Sequence, residues 1–116
     1  MREIKFKFLL ENGEVTEPYY LKELIDSDAY INIECEYSSK IKQELQYTGL
    51  KDKNGVEIYE GDIMMASYMK KKPCVVEYSK TLAKFTMSGK FNFTAIDSNL
   101  EVIGNIYENQ ELLRED

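Results

Sequence analysis

The chain has 116 residues, the usual size of one domain, with 21 acidic against 15 basic side chains and a formal net charge of -6. It holds no histidine and only two cysteines. That excludes Ser-His-Asp and Cys-His nucleophile activation, imidazole zinc sites and a four-thiolate zinc site within one chain.

The first residues, Met1 to Lys7, alternate charged and apolar side chains and lack the unbroken apolar core of a signal peptide. No stretch approaches the roughly 18 apolar residues of a membrane span, so the chain is expected to stay in the cytoplasm and off the membrane. Ile4, Phe6, Phe8 and Leu10 mark a first strand by their period of two, and Asn12-Gly13 signals a hairpin with Val15 on its return. Pro18, Leu21, Leu24 and Ile25 predict one short helix, with Pro18 in its first turn. Ile31, Ile33, Cys35 and Tyr37 alternate with Asn32, Glu34 and Glu36, which predicts a half-buried strand. Cys35 and Cys74 are both expected inside strands as buried, reduced thiols.

Beyond this point turn residues recur closely. Glu44 to Thr48 predicts a strand ahead of Gly49, Asp52-Lys53-Asn54-Gly55 a turn, Glu57 to Tyr59 a strand and Glu60-Gly61-Asp62 a second turn. Strands are then expected at Ile63 to Tyr68, Cys74 to Tyr78, Leu82 to Met87, Phe91 to Ile96 and Glu101 to Tyr107. Short strands at this spacing predict a mainly β fold, a coiled sheet or small barrel, in a single domain over residues 1–116. Charge is uneven along it: residues 1–62 carry 8 basic and 14 acidic side chains, residues 63–116 carry 7 of each.

Three constellations invite a chemical reading. Asp52-Lys53-Asn54-Gly55 resembles part of a calcium loop, but with Gly55 at the sixth position the first and twelfth would be Leu50 and Gly61, where acidic ligands are required. The turn reading is therefore preferred. Glu57, Glu60 and Asp62 form a carboxylate group without a partner acid, and a solvated turn explains them better than paired-acid catalysis. Lys70, Lys71 and Lys72, with Tyr68 and Tyr78 nearby, are the candidate nucleic-acid contacts. One basic run on a chain of net charge -6 favours a loop that guards strand edges. No cofactor is expected.

Three stretches together resemble the YopX family, small proteins of bacteriophages and prophages of Gram-positive hosts. They are the start Met1-Arg2-Glu3-Ile4-Lys5-Phe6, the centre running from Gln46-Tyr47-Thr48-Gly49-Leu50 through Asp52, Asn54-Gly55 and Tyr59-Glu60-Gly61-Asp62-Ile63, and the end from Leu100 through Val102-Ile103-Gly104 and Tyr107 to Leu113. Lys7, Phe8 and Leu9 replace the Arg, Ala and Trp usual after the family start, and Gln110 replaces a proline near its end. The resemblance implies coiled β-sheets containing a small SH3-like barrel, no enzymatic activity and a partner still to be named. The motif residues are then expected in structural roles: Gly49, Gly55 and Gly61 at positive φ, Asp62 tying a turn, and Ile63, Val102 and Ile106 filling the barrel. The function expected is a non-catalytic binding or assembly module, contacting a protein or a second copy of itself. The alternatives are a nucleic-acid-binding barrel and an acidic DNA mimic that inhibits a host enzyme.

Overall fold

A computed structural model describes residues 3–66, 73–80, 83–87, 91–92 and 100–113. The order is β1 (Lys5–Leu10), β2 (Tyr19–Tyr20), α1 (Leu21–Leu24), α2 (Ala29–Tyr37), β3 (Ile41–Lys51), β4 (Glu57–Tyr59), β5 (Asp62–Ala66), β6 (Cys74–Ser79), β7 (Lys84–Met87), β8 (Phe91–Asn92), β9 (Leu100–Asn105) and a closing 3-10 turn (Gln110–Leu113). The fold is mainly β, with two antiparallel sheets in the orders β2-β1-β3-β4 and β8-β7-β6-β5-β9.

β1 forms as its alternation predicts, and its turn follows from Asn12, whose side-chain oxygen accepts the Glu14 N–H at 2.9 Å while Gly13 takes φ +94°. Val15 returns to bridge Leu9. Phe8 has no exposed surface, and its ring meets Tyr19 at 6.0 Å and Tyr30 of α2 at 5.3 Å. Leu10, Ile33 and Ala29 are buried as well.

Three expectations are corrected by the structure. Residues 29–37 form a helix and not the predicted strand, so the described residues hold two α-helices where one was expected. Only Ala29 and Ile33, four apart and on one helix face, are buried, while Ile31 stays 59% exposed. The apparent period of two came from apolar residues on the solvent side. Cys35 is consequently exposed on α2, whereas Cys74 is buried in β6. The helix stops where Ser38 turns left-handed (φ 54°) and the Ser39 N–H donates to the Glu34 carbonyl at 3.1 Å. Pro18 lies ahead of α1, not in its first turn.

β3 is longer than predicted. Its first half pairs with β1 (Phe6 with Gln46, Lys7 with Leu45), and its second half pairs with β4 (Tyr47 with Tyr59, Lys51 with Glu57). Gly49, at φ +88°, stands in the irregular stretch between those last two pairs. Beyond it, Leu50 and Ile58 pack on the second sheet, around Met64, Cys74, Val76 and Leu100, with Phe85 and Val102 at the margin.

Candidate interaction surface

The central motif converges on a junction of backbone. Gly61 takes φ +89° in the turn between β4 and β5. Its N–H donates to the Val76 carbonyl at 2.8 Å, and its carbonyl accepts the Ile106 N–H at 2.9 Å. A Cβ built on it would lie 2.6 Å from Cε2 of Tyr107. The turn is closed by Asp62, whose Oδ2 accepts the Tyr59 N–H at 2.8 Å, as expected of it. Gly104 serves the neighbouring contact, because a Cβ there would meet Asn109 Oδ1 at 2.6 Å and Leu112 Cδ1 at 2.9 Å. Ile63 is fully buried, while Val102, Ile103 and Ile106 are half-buried.

Asp52 does the same work for the preceding turn. Its Oδ1 accepts the N–H groups of Asn54 (2.8 Å) and Val56 (2.9 Å), and its Oδ2 accepts that of Val102 on β9 (2.9 Å). Burial raises its pKa, but these three donors outweigh that and hold it below the ordinary carboxylate value. Gly55 sits at φ +82° in open space, as the turn requires. The calcium-like residues are thus a turn whose acid is occupied by backbone.

A third polar group crosses the first sheet. Tyr20, Lys5, Tyr47 and Tyr59 stand in one row, with Lys5 Nζ 5.2 Å from the Tyr20 ring centre and 4.9 Å from that of Tyr47. The buried Lys5 is paired with Glu57 and lies 2.9 Å from Glu3. Burial lowers its pKa, yet hydrogen bonds to both carboxylates leave it raised. Glu57 also accepts the Tyr59 hydroxyl at 3.0 Å, and Lys7 Nζ lies 4.5 Å from the Tyr59 ring centre. Nothing in the sequence ties Lys5 to Glu57, 52 positions apart.

Asp62 differs from the other buried acids. Burial raises its pKa to about 6, against the lowering by the Tyr59 N–H and Lys7. The folded state therefore holds this proton more tightly than the unfolded chain. Its stabilising effect is complete below the ordinary value of 3.8 and is lost as pH rises through about 6. We expect Asp62→Asn, which keeps an acceptor for Tyr59, to remove that loss. Relative to the unmodified protein it should gain roughly 2 kcal/mol between about pH 4 and pH 7, read from urea midpoints. A constant difference across this range would refute the assignment.

Of the candidate nucleic-acid contacts, Lys70, Lys71, Lys72 and Tyr68 lie outside the described residues. Tyr78, 45% exposed, meets Phe85 edge-on at 5.2 Å and lines a groove of about 420 Å³ with Gln46, Thr48, Leu50 and Lys84. Among the described residues, Lys84 is the single charged one of that lining.

Ile4 (46% exposed), Leu21 (44%) and Ile25 (78%) are exposed, as is Tyr20 (43%), whose ring is engaged by Lys5 at 5.2 Å and Lys22 at 5.7 Å. The Leu21 N–H donates to the Ile4 carbonyl at 3.0 Å, and Leu21 and Ile25 are four apart on the α1 turn, so Ile4, Leu21 and Ile25 form an apolar ridge at the β2 edge of the first sheet. The turn is fixed by Glu23, whose carboxylate accepts the Tyr20 N–H at 3.0 Å. This ridge escaped sequence reasoning because the same leucine and isoleucine spacing describes a buried helix face.

Among the described residues no helix is long and apolar enough to cross a membrane. The sequence profile of the YopX protein family matches residues 11–114. The chain is also similar to the crystal structure of protein EF1440 from Enterococcus faecalis, with 28% sequence identity, a TM-score of 0.55, and coverage of 87% of this chain and 68% of that one. No curated protein matches it.

Proposed function

The chain belongs to the YopX family, and from that premise we propose that it is a non-catalytic binding module serving a bacteriophage or prophage in the cytoplasm of its host. The observation that carries this reading is the pairing of an internally committed motif with an uncommitted apolar ridge. Asp52, Asp62, Glu57 and Lys5 all bond within the chain, so the motif's polar groups hold turns and strands together. In this reading the strands around Ile58, Met64 and Leu100 are the SH3-like barrel, and Gly61 and Gly104 lock the C-terminal turn against it. A chain without histidine whose buried acids are engaged by backbone has little with which to activate a nucleophile. Exposed Ile and Leu side chains gathered at one sheet edge, by contrast, are the composition of a protein contact.

The test is affinity capture from host cells carrying the phage, with the unmodified chain and with Ile25→Asp. Ile25 is so exposed that the substitution should change stability by no more than about 0.5 kcal/mol, seen as an unchanged urea midpoint. A partner retained by the unmodified chain and lost by the variant supports the ridge. Equal retention by both would place the contact elsewhere, and no partner for either would overturn the binding reading.

A further inference from the structure

The net charge of the chain is concentrated in the segment that carries most of the ridge. Between Glu14 and Glu36 stand seven acids, Glu14, Glu17, Glu23, Asp26, Asp28, Glu34 and Glu36, against one base, Lys22. That segment nets -6, which is the net charge of the entire chain; the remaining residues carry 14 acids and 14 bases. Six of the seven carboxylate residues are exposed, and only Glu34 is half-buried, beneath the Ile41 N–H it accepts at 2.7 Å. Leu21 and Ile25 lie within this segment, and Glu17, Glu23, Asp26 and Asp28 stand within four positions of one or the other and form its acidic rim.

We infer that the ridge docks a protein whose contact face is apolar at its centre and rimmed by lysine and arginine. The inference rests on the ridge being the binding surface and adds what it selects. An apolar patch alone is indifferent to its partner, whereas a rim of one sign rejects like charge and accelerates encounter with the opposite sign. Nucleic acid is repelled by the rim, as is an anionic bilayer. A second copy would bring two such acidic rims together, so self-association through this face is disfavoured. A basic protein face satisfies both components. Such faces are also what nucleic-acid-binding proteins present to phosphate, so an occupant of this kind would be masked from nucleic acid while bound.

The experiment uses the full chain and a fluorescein-labelled amphipathic peptide built of leucine and lysine, with a leucine-glutamate peptide as its counterpart, followed by anisotropy. We expect saturable binding of the lysine peptide only, weakened about tenfold between low and physiological salt. Two variants separate the components. Leu21→Ser with Ile25→Ser removes the apolar centre and should weaken binding at least about tenfold at either salt, in line with the loss of two partly buried apolar contacts. Glu17→Gln with Asp26→Asn and Asp28→Asn halves the segment's charge and keeps an acceptor at Asp26 for the Asp28 N–H. It should bind more weakly and with a shallower salt dependence. If the serine variant binds unchanged, the ridge itself is the wrong surface. If the serine variant fails but the amide variant binds as before, the ridge stands and the basic partner is refuted. Equal binding of the two peptides, or a dimer of the unmodified chain by sedimentation that the serine variant abolishes, would also overturn the inference.

Discussion

Gly61→Val should be the most damaging single substitution in the central motif, costing about 3–5 kcal/mol. Two causes combine there. At φ +89° a β-branched residue is a steric outlier, and the added Cβ would fall 2.6 Å from the Tyr107 ring. The ring can be displaced only by disturbing a segment whose Ile106 N–H is bonded to Gly61 itself. Gly55, at φ +82° but with nothing within 4 Å, isolates the first cause. Gly55→Ala should therefore cost only about 1 kcal/mol, and Gly61→Ala clearly more. Replacing Tyr107 by Leu in the Gly61→Ala background should recover part of the difference. Equal urea midpoints for Gly55→Ala and Gly61→Ala would show that the ring yields freely and that the junction is softer than described.

Asp52→Ala should cost nearly as much, about 3–4 kcal/mol. It leaves three backbone N–H groups, of Asn54, Val56 and Val102, without their acceptor. Hydrogen bonds to a charged acceptor contribute about 1.5–3 kcal/mol each, and three on one carboxylate do not add in full. Asp52→Asn discriminates further. The amide has one acceptor oxygen, so it can serve the turn or Val102 but presents an N–H to the other. Its loss should fall near half that of alanine, with exchange protection of the Val102 amide lost first. Full protection at Val102 in the alanine variant would mean that β9 is held by its pairing with β5 alone.

The turns that carry these effects were legible because a positive φ and a side chain folded onto its own backbone are local demands, visible as Gly and Asp at fixed offsets. Gly49, Gly55, Gly61 and Asp62 hold the positions expected of them. β1 was legible because its apolar and charged side chains alternate with the period of a strand, although at its start Lys5 is buried and Ile4 exposed. α2 was not. Ile31 and Cys35 look inward when the chain is read as a strand, and the choice between periods rests on which apolar residues are buried. The reach of Asp52 to Val102 and of Lys5 to Glu57 spans about half the chain, and tertiary pairing at that distance leaves no pattern in one sequence. The ridge was hidden by the same ambiguity as α2: exposure, not composition, distinguishes a contact surface from a core face.

β3 belongs to both halves of the molecule, pairing with β1 on one side of Gly49 and contributing Leu50 to the second core on the other. A strand held in this way couples two melting processes into one. If the second core loosens, β4 loses its packing at Ile58, and Tyr59 and Glu57, which anchor Lys5, go with it. Amides in the first half of β3 should then exchange with solvent more readily whenever the second core opens. The surface that carries the ridge is thereby tied to the durability of a core in which Ile4, Leu21 and Ile25 take no part among the described residues.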